Sequence, residues 1–230
     1  DPACGTGGFL LSAYEHMRKQ PGAQDRSNQR KLREQALSGV DIVDEVVRLC
    51  GMNLYLHGIG NGESPIRSGD ALASDPGDRY DVVLTNPPFG KKSSYRVIGE
   101  DGAVETEQES YERGDFKFTT SNKQLNFMQH ILTIMQSGGR AGVVLPDNVL
   151  FEAGSAGEGI RRRLLTQFDF HTLLRLPTGI FYKQGVKANA LFFDKHAPRA
   201  DGQPNTRALW VYDFRTNKNF TLKKNPLQDT

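Results

Sequence analysis

Cysteine is nearly absent from the 230 residues, with Cys4 and Cys50 the two present. Two thiols offer no disulfide framework, which suits a protein kept in a reducing cytoplasm. The histidines (His16, His57, His130, His171 and His196) are scattered without metal-ligand spacing, so no metal is expected. No run approaches the ~18 consecutive apolar residues of a membrane span, and no membrane association is expected. Neither sign of charge dominates: 29 Lys and Arg against 27 Asp and Glu leave a formal charge of +2. Bulk electrostatics therefore cannot supply most of the affinity for a polyanion. No segment repeats another.

What remains is a chain of 37% hydrophobic residues, long enough to bury a substantial core. Its most informative stretch is Tyr80 to Phe89. Tyr80-Asp81-Val82-Val83-Leu84-Thr85 is apolar and β-branched, the pattern of a buried parallel strand. Asn86-Pro87-Pro88-Phe89 must end it, because neither proline can donate to a ladder. Ligands of open α/β sheets bind outside the carboxyl ends of the strands. The motif is thus either a strand-ending turn or a rigid polar and aromatic site.

Upstream, Asp1-Pro2-Ala3-Cys4-Gly5-Thr6-Gly7-Gly8-Phe9-Leu10 reads as a glycine-rich loop opening a helix to about Lys19. Such loops follow a strand, so the first strand of the sheet is expected to lie before Asp1. The spacing is not that of a dinucleotide fingerprint, and a plain turn or a ligand loop both account for it. Residues 20–33 are polar, before a short helix ending near Leu37. Ser38 to Ile42 then reads as a short strand ending in Asp41, an acid placed either to accept ribose hydroxyls or to cap the following helix, Val43 to His57. Ile66 to Leu72 reads as a third strand carrying Asp70 and Ala71, where Asp70 is a purine contact or a turn residue.

From Gly90 to about Asn122 the chain is long and polar, without a pattern of regular structure. It includes Lys91, Lys92, Arg96, Arg113 and Lys117, and a mobile flap beside the site is expected there, with plain disorder the alternative. Ser121 to Gln136 has a helical apolar face (Leu125, Met128, Ile131, Leu132, Met135), closed by Gly138-Gly139. A strand from Arg140 to Leu145 follows. Next comes a helix with Arg161-Arg162-Arg163, a solvated face or a phosphate contact. Phe170–Leu176 and Ala188–Phe193 are too close for a crossover helix, so they should form an antiparallel hairpin, with Lys183 and Lys187 in the turn. Ala208 to Phe214 reads as an edge strand.

Alternating strands and helices followed by a terminal antiparallel hairpin predict an α/β, Rossmann-like fold with a mostly parallel twisted sheet. Four ordered blocks then resemble a known family: residues 1–10, Asn86–Phe89, Gly138 to Pro146, and Leu176-Pro177-Thr178-Gly179-Ile180-Phe181. The run Asp213 to Lys218 is also similar. Together they resemble the modification (methyltransferase) subunit of type I restriction-modification systems, among the adenine-N6 DNA methyltransferases.

That resemblance implies S-adenosylmethionine as methyl donor. It implies that Asp1, Ala3, Cys4, Gly5, Thr6, Gly7, Gly8 and Phe9 surround the methionine moiety, with Asp41 and Ile42 at the ribose and Asp70 and Ala71 at the adenine. Asn86, Pro87, Pro88 and Phe89 would hold the target base, and Asn86 would also border the cofactor. The family more often carries Glu where this chain has Asp41. The resemblance further implies double-stranded DNA, a specificity subunit, a restriction subunit and a second copy of the chain as partners. The family's amino-terminal helical region is not represented. Residues 1–195 are expected to form the catalytic domain, 90–120 the mobile insertion, and 196–230 an extension with an edge strand. Methylation of a protein glutamine or an RNA base, or an inactive S-adenosylmethionine-binding scaffold, are the alternatives.

Overall fold

The structure, a computed structural model, describes residues 1–60, 62–90, 94–98, 104–108, 111–181, 186–215, 220 and 227. Of 94–98 and 104–108 it describes the backbone alone. Lys91, Lys92, Lys183, the Arg96 side chain and most of the basic tail lie outside the described residues. The chain divides into two compact units, Asp1–Ser74 with Leu84–Asn86, and Asp75–Val83 with Pro87–Thr230.

In the first unit, residues 1–4 run beside strand β1 (Gly39–Asp41). The Val40 N–H donates to the Asp1 carbonyl at 2.9 Å, and the Cys4 N–H to the Val40 carbonyl at 3.0 Å. Helix α1 (Gly8–Met17) starts where Gly7 turns to φ 87°, and it buries Leu10 and Tyr14, one turn apart. No residue of helix α2 (Arg26–Glu34) is fully buried, and Leu32 alone among its apolar residues packs half-buried against the core. Strand β1 leads to α3 (Asp44–Leu56) and then to β2 (Ile66–Ser68), which pairs with β1 in parallel. Cys4, Leu10, Tyr14, Leu37, Cys50, Leu54, Ile59 and Ile66 make one core. Gly39 is required at its centre, since a Cβ there would lie 2.7 Å from Ile66 and 3.0 Å from Leu10.

The second unit is built on a five-stranded sheet in the order β3-β6-β8-β7-β9. Its strands are β3 (Tyr80–Thr85), β6 (Met135–Pro146), β7 (Asp169–Leu176), β8 (Ala188–Asp194) and β9 (Trp210–Asp213). Strand β8 runs antiparallel to both β6 and β7, while β9 pairs with β7 in parallel. Helices α4 (Lys123–Ile134), α5 (Asp147–Phe151) and α6 (Ser155–Gln167) complete it. The predicted hairpin and edge strand are thus present in an α/β fold whose sheets mix parallel and antiparallel pairs.

Four local expectations need correction. The stretch read as patternless holds an antiparallel hairpin of β4 (Ser94–Ile98) and β5 (Val104–Gln108). The third strand stops at Ser68, and Asp70 sits in a turn where its Oδ1 accepts from the Leu72 N–H at 2.9 Å. Helix α4 ends before Gly138-Gly139, because Met135 is already extended (φ −69°, ψ 132°). The two glycines lie inside β6, where a Cβ on Gly139 would come within 3.0 Å of the Tyr80 carbonyl oxygen.

Finally, α4 is buried on all sides rather than along one apolar face: Gln124, Asn126, Gln129 and His130 are as enclosed as Met128 and Ile131. Residues 113–122 bond to this polar face. The Gln129 amide accepts from the N–H groups of Lys117 and Phe118 at 2.9 and 3.0 Å, and it donates to the Phe118 carbonyl at 2.8 Å. A side chain here does what a neighbouring strand would do.

Candidate functional site

The glycine loop is held by side chains from two elements. Asp41, at the end of β1, accepts from the Gly5 N–H through Oδ2 and from the Val43 N–H through Oδ1, both at 3.0 Å. Asn53 of α3 donates from Nδ2 to the Thr6 carbonyl at 2.9 Å. Cys50 packs on Gly7, where a Cβ would lie 2.8 Å from Sγ, so a side chain at Gly7 is excluded by space as well as by φ. Asp1 Oδ1 accepts from the Ala3 N–H at 3.0 Å and tightens the approach.

These bonds leave chemistry to spare. Each carboxylate oxygen has a second lone pair, so Asp41 can still accept from ribose hydroxyls while bracing the loop. Asp70 Oδ1 accepts within its own turn. Ile42 is 58% exposed, which leaves an apolar surface next to Asp41. These residues fit an adenosine group bearing a positively charged sulfur. Asp41 braces the β1–α3 turn without capping α3, whose N-cap, Val43, receives no side-chain cap hydrogen bond. Among the described residues, no three His, Cys, Asp or Glu side chains gather as metal ligands, and no helix is long and apolar enough to cross a membrane.

Asn86 is grouped with this same compact unit. Among the described residues, its Oδ1 is buried without a hydrogen-bond partner, and so is the Thr85 hydroxyl. A buried, unpaired polar atom costs about 1–3 kcal/mol, and native structures rarely retain one without a use. The carbonyl of Pro88 is taken by the Gly90 N–H at 3.0 Å, which closes a tight turn. Of the two proline carbonyls, that of Pro87 is the one not drawn into this turn.

In the second unit, the ring of Phe89 meets that of Phe181 edge-on, with centroids 5.4 Å apart and planes at 75°. In such a pair the edge of one ring meets the face of the other, so Phe181 covers at most one face of Phe89. Phe181 lies in the block Leu176 to Phe181 without being a predicted site residue, and nothing local in the sequence joins it to Phe89. Asn53 and Cys50, which brace the glycine loop, carry no local sequence signal of that role.

The three arginines of α6 do not share a role. Arg161 donates to the Glu152 carbonyl at 2.8 Å, closing the end of α5. Arg162 pairs with Glu158 on the surface. Arg163 bonds Gln167 through Nε and leaves Nη1 buried without a partner among the described residues; burial pulls its basicity down.

Comparison with known proteins follows the same lines. A family model described as N-6 DNA methylase matches residues 1–230. The type I restriction enzyme EcoKI methylase subunit of Escherichia coli K12 is 42% identical, over all of this chain and 42% of its own length. The crystal structure of the EcoKI M protein superposes with a TM-score of 0.80, again at 42% identity, covering all of this chain and 46% of that one. A Listeria monocytogenes protein described as a class I S-adenosylmethionine-dependent methyltransferase shares the fold alone, at 19% identity and a TM-score of 0.57, over 93% of this chain and 57% of its own. The chain spans less than half the length of the restriction-enzyme subunits it matches.

Proposed function

The chain belongs to the N-6 DNA methylase family, and we propose that it is the catalytic part of a type I modification subunit that methylates the N6 amine of adenine in double-stranded DNA. The observation that carries this reading is the buried Oδ1 of Asn86, without a partner among the described residues and in the same compact unit as the glycine loop, Asp41 and Asp70. S-adenosylmethionine, when bound, supplies an electrophilic methyl group on sulfonium sulfur. Asp41 would accept from its ribose, and the loop from Gly5 to Gly7 would admit its methionine portion, because the space beside Gly5 is open.

The target amine is a weak nucleophile, since its lone pair is delocalised into the purine ring. Asn86 Oδ1 would accept one N–H and the Pro87 carbonyl the other, drawing the nitrogen towards tetrahedral geometry. The two prolines fix φ, so neither acceptor needs to reorganise as charge develops. Phe89 would stack on the base with Phe181 behind it. Such stacking is worth ~1–3 kcal/mol per base and offsets part of the cost of flipping adenine out of the duplex. The proton released leaves through solvent, and no covalent nucleophile is required.

With a nearly balanced charge, this chain is poorly suited to choosing a DNA site by itself. The proposal therefore includes a specificity subunit for target choice, a restriction subunit and a second copy of the chain as partners, in the cytoplasm. Tritiated-methyl transfer by the full-length complex to DNA, RNA and protein acceptors tests it. Label on DNA adenine, abolished in Asn86→Ala, is the expected result. Label on protein or RNA alone would replace the substrate. Binding of S-adenosylmethionine with no transfer to any acceptor would make the chain a scaffold.

A further inference from the structure

The connection from β7 to β8 carries Phe181, and one side chain from beyond β9 holds both of its ends. Arg215 donates from Nε to the carbonyl of Leu176, the last residue of β7, at 3.2 Å. Its Nη2 reaches the carbonyl of Ala188, the first residue of β8, at 3.4 Å. The same guanidinium meets Asp147 with two prongs, at 3.0 and 2.6 Å, and Asn189 Oδ1 at 3.0 Å. Asn189 is fully buried and donates in turn to Asp147 Oδ1 at 2.8 Å. The Asp147 N–H donates to the Lys187 carbonyl at 2.9 Å, just inside the far end of the connection. A planar guanidinium serves all these acceptors at once, which an ammonium cannot.

A second contact comes from the same stretch of chain. Gly179 lies two residues before Phe181 with φ 90°, and any side chain there would collide with the Phe220 carbonyl. The backbone of Phe220 therefore lies against the turn that ends in Phe181. Strands β7 and β8 already pair from Asp169↔Asp194 to Leu176↔Ala188, so their register needs no further staple. The staple sits at the open end instead, where the connection leaves the sheet.

We infer that Arg215, anchored by Asp147, is a positioning residue for the methyl-acceptor site. It fixes both ends of the 177–187 connection and so holds the Phe181 ring against Phe89. This rests on the reading of Phe89 and Phe181 as the aromatic support of the target base.

The test compares Arg215→Ala, Arg215→Lys, Phe181→Ala and the Arg215→Ala/Phe181→Ala pair in the full-length subunit within its assembled complex. Measured are kcat for methyl transfer to DNA, the dissociation constant of S-adenosylmethionine, and the melting temperature. Arg215→Ala is expected to lower kcat about tenfold or more, because a displacement on the order of 1 Å in a site can cost ~100-fold. Donor affinity should change by no more than about twofold, the mark of a defect confined to the acceptor side. The double variant should be no slower than Phe181→Ala alone, since both changes disable one device. Arg215→Lys, which keeps charge but loses the fork, should fall between wild type and Arg215→Ala. If Arg215→Ala does not assemble, the Lys variant combined with Phe181→Ala reads the same coupling. Losses that multiply in the double variant, or full activity in Arg215→Ala, overturn the inference. Full activity in Phe181→Ala is a separate failure, because it sinks the aromatic reading on which the inference rests.

Discussion

The carboxylate of Asp41 accepts a hydrogen bond from the N–H of Gly5, so the acid that ends β1 also sets the shape of the glycine loop. Charge-assisted hydrogen bonds contribute about 1.5–3 kcal/mol, which corresponds to roughly 10–100-fold in affinity. Asp41→Ala is expected to weaken S-adenosylmethionine binding by that range, and Asp41→Asn by less, because one oxygen remains. Isothermal titration of the full-length complex measures both. Equal affinity in all three proteins would mean that the loop keeps its shape unaided.

Activity and stability should part company at Asn86. Loss of a preorganised acceptor typically costs ~100–1,000-fold in kcat. An orphaned buried oxygen contributes nothing to folding, so Asn86→Ala should melt no lower than the parent protein while losing methyl transfer. A fall of many degrees in melting temperature, with activity lost only in proportion, would reassign Asn86 to a structural role.

Gln129 gives the opposite pattern. Its amide satisfies two backbone N–H groups and one carbonyl of residues 117–118 and is itself fully buried. Gln129→Leu keeps the volume but leaves those groups unpaired, a loss of about 2 kcal/mol or more. Urea denaturation should show the lower midpoint, and amide exchange at Lys117 and Phe118 should accelerate first. Unchanged exchange at both amides would show that the contact is dispensable.

Acid should loosen the Arg215 staple. Burial by itself would raise the Asp147 carboxyl, but hydrogen bonds from Arg215 and Asn189 outweigh it and hold the group below its ordinary 3.8. A carboxyl whose folded value is depressed contributes stability that is fully present above the unfolded value and lost as pH falls through the folded one. The staple is therefore intact at neutral pH and fails in the window below 3.8. Asp147→Asn should be less stable than the parent at neutral pH and should lose less of its stability on acidification. Parallel stability curves for the two proteins would remove Asp147 from the acid response.

Much of this fold is legible in the sequence alone. Strand β3 announced itself by β-branched residues running into two prolines, and the hairpin of β7 and β8 by the short distance between two apolar runs. Such signals are local: the chain's own sterics carry them. Helix α4 was only half legible, because apolar periodicity reports Met128 and Ile131 but is silent on Gln129, whose burial depends on how residues 113–122 fold back along the helix. The approach of Phe181 to Phe89, and of Arg215 to Asp147, is set by the order of strands in the sheet. No window of sequence contains both members of either pair.

Enclosure of α4 also bears on how the second unit comes apart. Arg113 lies almost wholly inside, paired with Asp115 at 2.8 Å, and Thr133 of α4 donates to the same carboxylate at 2.7 Å. Residues 113–122 thus act as a latch over a helix that carries the core on its other faces. A protease cutting within the latch should find it resistant in the native protein, and once cut, the unit should unravel in one step without shedding a loop.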